Sequence, residues 1–237
     1  MHAPPWNEFD ASVEKHATRL DPQVRKQLEA VLYLDMTSEY DARHYSAYVH
    51  SLDLEFTPAF LEMEREWAVD EELHFEGFRR VHEHGFGWGT ERFEELEART
   101  PDFAPLAHLF ADEFHICCLG AYDELATVRA YRANLPLYDR LGPEFGRFLR
   151  RVVADEGRHF ARFLRVLRQE HAHRAGEGAS VLAKLRAADA IPYAQTFVLD
   201  HDDEVWTEAM FEEAAAVLGR RLSSMNERAR PAQAKRA

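Results

Sequence analysis

A repeated set of acidic and imidazole side chains constrains this chain more than any other feature. A single offset of 85 residues relates three residues of the first half to three of the same type in the second: Glu39 to Glu124, Glu71 to Glu156, and His74 to His159. Each half thus carries a lone Glu and, 32 residues later, a Glu-x-x-His motif. Chance gives about 0.1 copies of the longer motif Asp-Glu-x-x-His in a chain of this composition, and two are present. The sequence therefore predicts a structural repeat that brings like groups together.

The remaining pattern predicts an all-α fold. Glycine and proline are scarce, at 11 and 10 of 237 residues, and most lie near the ends of expected helices. Asp21 is a favourable N-cap, and Pro22 follows it at the first helical position. No segment shows the sustained alternation of apolar and polar residues that is typical of a strand. The expected helices span residues 22–52, 58–84, 91–99, 105–134, 143–173, 180–189 and 204–222.

Helical spacing places the repeated acids and imidazoles on shared faces. Residues three apart lie on one face of an α-helix, so Glu71 pairs with His74 and Glu156 with His159. On a helical wheel at about 100° per residue, Glu156 and His159 fall in the middle of an apolar stripe. An unpaired carboxylate is costly to bury. Four carboxylates and two imidazoles that face one another therefore predict a site for two metal ions.

The expected metal ligands are the six repeated residues: Glu39, Glu71, His74, Glu124, Glu156 and His159. Asp35 lies one turn before Glu39 on roughly the same face and is the alternative to it. Asp155 is expected either to hold a ligand histidine from outside the centre or to be an exposed acid. Gly120 precedes Glu124 by one turn, and is expected either to open space for a substrate chain or to allow close helix packing.

Four local sequences resemble the ligand helices of a known family. They are Met36-Thr37-Ser38-Glu39, Asp70-Glu71-Glu72-Leu73-His74, Asp123-Glu124-Leu125-Ala126-Thr127 and Ala154-Asp155-Glu156-Gly157-Arg158-His159. These segments are similar to those of soluble acyl-acyl-carrier-protein desaturases, over about residues 22–170. The donor set also matches ferritin-like di-iron carboxylate proteins, which use a Glu from each of two helices and Glu-x-x-His from each of two others. The resemblance implies a ferritin-like four-helix bundle with additional short helices.

The same resemblance implies an activity and its cofactors. It implies a di-iron, O₂-dependent oxidase that introduces a double bond into a carrier-bound fatty acyl chain, with two iron ions (Fe²⁺/Fe³⁺) as cofactor. It also implies a homodimer, an external electron donor protein such as reduced ferredoxin, and a proton-delivery role for Thr127. Two other functions stay open: a di-iron oxygenase (hydroxylase or N-oxygenase) acting on a small or carrier-bound metabolite, and a non-enzymatic iron-handling protein. The same ligands also suit manganese or a mixed metal pair.

The distribution of charge indicates where partners bind. A net charge of −13 argues against general nucleic-acid binding. Residues 1–118 carry 25 acidic and 10 basic side chains, whereas residues 119–237 carry 17 and 19. Five arginines of the expected helix 143–173, which we call the arginine stripe, fall within about 60° of one another on the wheel: Arg147, Arg151, Arg158, Arg162 and Arg165. We expect the stripe to bind an acidic acyl carrier protein, and the alternative is an ordinary solvated face.

Location and domain boundaries follow from simpler features. No apolar run approaches the roughly 20 residues that span a bilayer, and the N-terminus lacks the segments of a signal peptide. The only cysteines, Cys117 and Cys118, are adjacent and cannot staple a fold, so a reducing cytoplasm is expected. We divide the chain into an N-terminal extension (1–20), a helical di-iron domain (21–222) and a basic, flexible tail (223–237).

Overall fold

The chain is helical throughout most of the part that the structure describes. The computed structural model covers residues 4–189, 198–199 and 206–234, with side chains described as far as Arg228. No β-strand occurs in these ranges, which confirms the predicted all-α class for them. None of the helices in these ranges combines the length and apolar character needed to cross a membrane. The α-helices are α1 (Trp6–Ala17), α2 (Pro22–Ser51), α3 (Pro58–Arg80), α4 (Thr90–Glu97), α5 (Glu113–Tyr138), α6 (Pro143–Glu170), α7 (Gly178–Asp189) and α8 (Glu208–Ala234).

Helices α2, α3 and α6 begin where the sequence predicts. The side chain of Asp21 caps α2 by accepting a hydrogen bond from the Gln23 backbone N–H at 2.9 Å. The Thr57 hydroxyl caps α3 by accepting from the Phe60 N–H at 3.2 Å. A proline follows the cap in each case, and α6 likewise begins at Pro143. Proline suits the first helical turn because the N–H that it lacks has no partner within the helix there.

The predicted bounds of the third long helix, 105–134, are wrong at both ends. Pro105 opens only a short 3₁₀ helix (Ala104–Leu109). Helix α5 begins after Asp112, whose side chain caps it by accepting from the His115 N–H at 3.0 Å. It then continues beyond residue 134 and through Pro136 to Tyr138. Proline removes one backbone hydrogen bond, and Pro136 does so in the last turn, where its ring is exposed and clashes least.

The last helix is longer than expected. Helix α8 continues beyond residue 222 as far as Ala234, so the predicted tail is helical over most of its length. The reason is that the apolar face does not stop at Leu222: Met225 also packs against the core. Residues 204–205 of the expected helix and 235–237 of the expected tail lie outside the described residues.

Two apolar clusters fill the interior. The Trp67 cluster includes Tyr45, Phe60, Trp67, Ile116 and Phe163. The Phe78 cluster includes Leu32, Phe75, Phe78, Tyr131 and Phe148. Each of α2, α3, α5 and α6 contributes side chains to both clusters, and the repeated acids and histidines lie near the junction of the two sets on each helix. Helix α1, from the expected N-terminal extension, also packs into the Phe78 cluster.

A π-helical turn follows α3. It spans Val81–Phe86 and ends at Gly87, whose φ of 76° lies in the left-handed region that favours glycine. His82 in this turn is fully buried, and its ring lies 4.3 Å from that of Trp88, centroid to centroid. The turn packs against α1 and α2, so it joins the end of α3 to the Phe78 cluster.

Candidate metal centre

The structure brings the six repeated residues together in one buried cluster. Glu39 comes from α2, Glu71 and His74 from α3, Glu124 from α5, and Glu156 and His159 from α6. Their side chains face the interior, and the residues are between 0% and 8% exposed. Each helix presents these groups from its middle, between the two apolar clusters, so packing on both sides fixes their positions.

The cluster consists of two donor groups that overlap. The first group is Glu39, Glu71, His74 and Glu156, and the second is Glu71, Glu124, Glu156 and His159. Within each group, one donor atom per residue lies within 4.8 Å of all the others, which is the spacing of ligands around one ion. Glu71 and Glu156 belong to both groups. The sequence alone did not show that the two Glu-x-x-His glutamates are the shared ones.

The shared carboxylates each direct one oxygen to each donor group. Glu71 Oε2 lies 3.8 Å from His74 Nδ1, and its Oε1 lies 3.1 Å from His159 Nδ1. Glu156 Oε1 lies 3.2 Å from His74 Nδ1, and its Oε2 lies 3.1 Å from His159 Nδ1. Both carboxylates are therefore placed to bridge two neighbouring ions.

The remaining two carboxylates are terminal, because each contacts only one imidazole. Glu39 Oε2 lies 3.2 Å from His74 Nδ1, and Glu124 Oε2 lies 3.4 Å from His159 Nδ1. Asp35, the alternative to Glu39, is not part of either group. It accepts a hydrogen bond from the Tyr138 hydroxyl at 2.6 Å instead.

Both histidines present Nδ1 to the cluster and Nε2 to an aspartate behind it. His74 Nε2 lies 3.5 Å from Asp155 Oδ2, and His159 Nε2 lies 3.3 Å from Asp70 Oδ2. Each aspartate thus lies beside the histidine of the other half, and the contact of His159 with Asp70 is a hydrogen bond whereas that of His74 with Asp155 is an ion-pair contact only. A carboxylate on the outer ring nitrogen fixes the tautomer that leaves the inner nitrogen free to bind metal. This placement agrees with the first alternative for Asp155; sequence reasoning missed Asp70, although the repeat relates it to Asp155.

Two arginines of the stripe extend these pairs toward the surface. Arg158 forms an ion pair with Asp155. Arg162 Nη1 lies 3.1 Å from Asp70 Oδ2 and its Nε lies 3.3 Å from Glu66 Oε2. Arg158 and Arg162 therefore support the centre, whereas Arg147 and Arg151 of the same stripe are exposed and Arg165 is half-buried.

Two aromatic hydrogen-bond donors contact the terminal carboxylates. The Tyr131 hydroxyl donates to Glu39 Oε1 at 2.5 Å, and Trp67 Nε1–H donates to Glu124 Oε1 at 2.7 Å. Sequence reasoning did not identify either residue. The 85-residue offset pairs Trp67 with Val152 and Tyr131 with Ser46, so the repeat carries no signal for them.

The pKa values show how the cluster balances its charge without a cation. Burial, together with the charge of Glu71, raises the pKa of Glu39 well above its ordinary value. Burial likewise raises the pKa of Glu124 despite the nearby His159. Burial disfavours charged imidazoles, but Glu39 and Glu156 outweigh it at His74 and raise the pKa of that ring well above 6.5.

The other groups complete this balance. The pKa of His159 is also well above 6.5, because the charge of Glu124 and hydrogen bonds to Asp70 outweigh burial. Burial opposes ionisation of Glu71 and Glu156, but contacts with the two imidazoles lower the pKa of both carboxyl groups. These directions favour charged imidazoles beside ionised Glu71 and Glu156, and they oppose ionisation of Glu39 and Glu124.

The donor set fits two divalent ions. Glu71 Oε1 and Glu156 Oε1 are buried beside the histidine nitrogens but make no hydrogen bond of good geometry, so both oxygens have lone pairs available within the cluster. Two dications can replace the protons of the cluster and compensate four carboxylates in a region closed to water. Carboxylate oxygens with imidazole nitrogens suit iron and manganese.

Other residues singled out from the sequence lie around the centre. Thr127 is half-buried on α5, one turn after Glu124. A Cβ added to Gly120 would lie 2.4 Å from the Phe163 ring, so this glycine allows close packing of α5 against α6 and does not open a channel.

No protein-family model, no curated protein sequence and no solved structure matches the chain. Its function is therefore inferred from the chemistry of its own residues.

Proposed function

We propose that the chain is a ferritin-like, four-helix di-iron protein that uses O₂ to oxidise an unactivated C–H bond. The observation that carries the proposal is the pair of donor groups joined by Glu71 and Glu156. These two groups would hold two iron ions close together, and such a pair would supply two electrons to one O₂ molecule. The four ligand-bearing helices α2, α3, α5 and α6 have the donor arrangement of ferritin-like di-iron proteins.

Within this function, the favoured reaction is desaturation of a carrier-bound acyl chain. When bound, two iron ions supply the redox equivalents for O₂ reduction. Desaturation removes two hydrogen atoms from the substrate; together with two electrons from an external donor such as reduced ferredoxin and two protons, O₂ leaves as two water molecules. The similarity of the four ligand segments to soluble acyl-acyl-carrier-protein desaturases supports this reaction over hydroxylation or N-oxygenation.

The residues of the chain have separate roles in this proposal. The six donors hold the ions, and Asp70 and Asp155 orient the two imidazoles. The Trp67 and Phe78 clusters exclude water on both sides of the centre. Exclusion of water protects an oxidising centre from side reactions and strengthens the electrostatic contacts within it. The exposed arginines of the stripe provide a surface for an acidic carrier protein, and a homodimer in the cytoplasm is the expected assembly.

One experiment tests the metal centre and the reaction together. The protein is loaded anaerobically with Fe²⁺, its metal content is measured, and the reduced form is exposed to O₂ with a panel of acyl carrier thioesters. We expect about two ions per chain and a product that has lost two hydrogen atoms by mass spectrometry. A product that gains one oxygen atom would support the oxygenase alternative, and O₂ consumption without any substrate change would support iron handling.

Thr127 is proposed to deliver protons to the O₂ chemistry without holding metal. Its hydroxyl lies on the same face of α5 as Glu124, one turn away, and a hydroxyl both donates and accepts hydrogen bonds. The Thr127→Val variant should keep both ions but form less product per O₂ consumed. The matched control is Thr37→Val. Thr37 is a buried threonine of α2, but it lies two residues before Glu39 and so on another face of its helix. An equal amount of product per O₂ consumed in both variants and the wild type would show that Thr127 has no role in proton delivery.

A further inference from the structure

The four carboxylates of the centre differ in what their second oxygens contact. Both oxygens of Glu71 and of Glu156 face imidazole nitrogens. In contrast, Glu39 and Glu124 each offer only Oε2 to an imidazole, because an aromatic side chain occupies Oε1 of each.

The geometry assigns Tyr131 and Trp67 as positioning residues that make the terminal carboxylates one-oxygen ligands. Tyr131 holds Glu39 Oε1 at 2.5 Å, and Trp67 holds Glu124 Oε1 at 2.7 Å. A short hydrogen bond occupies one of the two lone pairs of the outer oxygen and so favours binding of a metal ion through the inner oxygen. This inference rests on the metal centre proposed above.

The consequence concerns the number of ligands on each ion. With one donor atom from each residue, each group supplies four protein atoms: one imidazole nitrogen, one terminal oxygen and one oxygen from each bridge. If a terminal carboxylate bound through both oxygens, that number would rise to five and one fewer position would be open to O₂. Tyr131 and Trp67 therefore keep positions open on the two ions.

Both donors are held firmly. Tyr131 is 4% exposed and stacks on Phe78, with ring centroids 6.0 Å apart and an interplanar angle of 18°. Trp67 is 2% exposed and packs edge-on against Tyr45, with centroids 5.5 Å apart. Tyr131 belongs to the Phe78 cluster and Trp67 to the Trp67 cluster, so each apolar cluster controls one terminal ligand.

The two ends of the centre are therefore chemically different. The repeat makes the six ligands symmetric, but it places Val152 opposite Trp67 and Ser46 opposite Tyr131. A phenol hydroxyl both donates and accepts hydrogen bonds, whereas an indole N–H only donates. Because the donors are on separate helices and contact separate carboxylates, single substitutions can change one metal position at a time.

Two variants test this assignment, each with a matched control on a similar ring. Tyr131→Phe removes one oxygen atom and keeps the stack on Phe78, and Trp67→Phe removes the indole N–H. The controls are Tyr138→Phe, which removes the hydroxyl that contacts Asp35, and Trp88→Phe, which removes the N–H that contacts Glu29 at 2.8 Å. Far-ultraviolet circular dichroism checks that each variant folds.

Mössbauer spectroscopy of protein loaded anaerobically with ⁵⁷Fe²⁺ gives the readout, because each ferrous ion produces its own quadrupole doublet. We expect Tyr131→Phe to change one doublet and Trp67→Phe to change the other, with loading still near two ions per chain. The controls should keep the wild-type spectrum.

Three results would overturn the inference or its basis. Full loading with an unchanged spectrum in Tyr131→Phe contradicts the positioning role, even if Trp67→Phe does not fold. Changes to the same doublet in both variants contradict the separate control of the two ions. A wild-type chain that binds no iron contradicts the proposed metal centre itself, which distinguishes failure of the function from failure of this inference.

Discussion

Individual carboxylates of the centre differ in how many imidazoles they face, although all four are glutamates. Each of Glu71 and Glu156 faces both imidazoles, whereas Glu39 and Glu124 face one each. In the proposed centre, removal of a bridging carboxylate would therefore affect both ions, and removal of a terminal one would affect a single ion.

This difference gives a prediction for metal content. Glu71→Gln or Glu156→Gln should reduce loading to well below one ion per chain, whereas Glu39→Gln or Glu124→Gln should leave about one. Elemental analysis after anaerobic loading and desalting measures the number. The matched control is Glu64→Gln, at a buried glutamate of α3 that contacts Ser46 and belongs to neither donor group. Equal loss in bridging and terminal variants would contradict the assignment.

The aspartates that contact the outer nitrogens of the two histidines are expected to affect the affinity of the centre for metal. An aspartate-to-asparagine change at Asp70 or Asp155 removes the charge that orients a ligand imidazole, which typically weakens metal binding about 10- to 100-fold. Competition with a chelator measures the affinity. Asp41→Asn is the control, because Asp41 is equally buried on α2 but pairs with Arg99. Affinity within a factor of about two of the wild type in both test variants would show that the aspartates do not orient the histidines.

The clustering of the six repeated residues was predictable from the sequence, because spacing places the residues of each Glu-x-x-His motif on one helix face and the repeat relates the two halves. Asp70 was also accessible, since the repeat relates it to Asp155. Trp67 and Tyr131 were not, because their roles depend on how α3 and α5 pack across the centre and neither has a counterpart in the repeat. Arg158 and Arg162 were placed on the correct helix face, but their contacts with Asp155 and Asp70 depend on side-chain conformations that a helical wheel does not contain.

At the scale of secondary-structure elements, the π-helical turn after α3 is notable because it buries a histidine completely. Neither ring nitrogen of His82 in this turn makes a hydrogen bond of good geometry. Burial lowers its pKa to about 4 and outweighs the opposing effects of the Leu32 backbone carbonyl and of Glu29, and the Arg92 charge adds a smaller lowering. The ring is therefore neutral in the folded chain at neutral pH.

A dependence of stability on pH follows. His82 in the unfolded chain has a pKa near 6.5, so the unfolded state binds a proton first as the pH falls. The free energy of unfolding therefore does not depend on His82 titration above about pH 6.5. It falls by at most about 3 kcal/mol as the pH is lowered toward 4, because the unfolded state then binds the proton. Urea unfolding of the metal-free protein at pH 7 and pH 4.5 measures it.

His82→Phe should lose less stability over this range than the wild type, because the substituted ring does not titrate. His108→Phe, at an exposed histidine, should behave as the wild type does. Identical losses in His82→Phe and the wild type would show that this ring does not contribute.

Local sequence signals predicted some helix ends correctly and others incorrectly. Strong N-caps with a following proline fixed the starts of α2 and α3, whereas Pro105 misled because Asp112, seven residues later, is the better cap. The end of α8 was missed because it depends on packing of Met225 against the rest of the molecule.

At the scale of the whole molecule, the uneven charge favours the second half as the surface for an acidic partner. Arg158 and Arg162 are engaged with Asp155 and Asp70, whereas Arg147 and Arg151 are exposed and form no ion pair with these aspartates. A test of docking should therefore change the latter pair, since substitution of the former would disturb the metal ligands as well.

A double charge reversal at Arg147 and Arg151 should raise the Michaelis constant for a carrier-bound acyl substrate about tenfold and leave the Michaelis constant for a small thioester unchanged. Wild-type activity on the carrier-bound substrate should also fall as salt is added. The same reversal at Arg220 and Arg221, which are exposed on α8, controls for net charge. Equal effects of the two reversals, or activity that does not change with salt concentration, would show that the stripe is an ordinary solvated face.

The position of the centre between two apolar clusters has a consequence for the order of assembly. Each of the four ligand-bearing helices is anchored on both sides of the centre by packing that involves no metal donor. In small metal-dependent domains, by contrast, the ion supplies most of the folding energy. In the proposed di-iron protein, the packing of both clusters would let the chain fold before any metal binds, and iron would enter a folded chain. Maturation would then be a step of metal supply, separate from synthesis and folding, and a cell could hold a folded reserve of the inactive protein until iron is available.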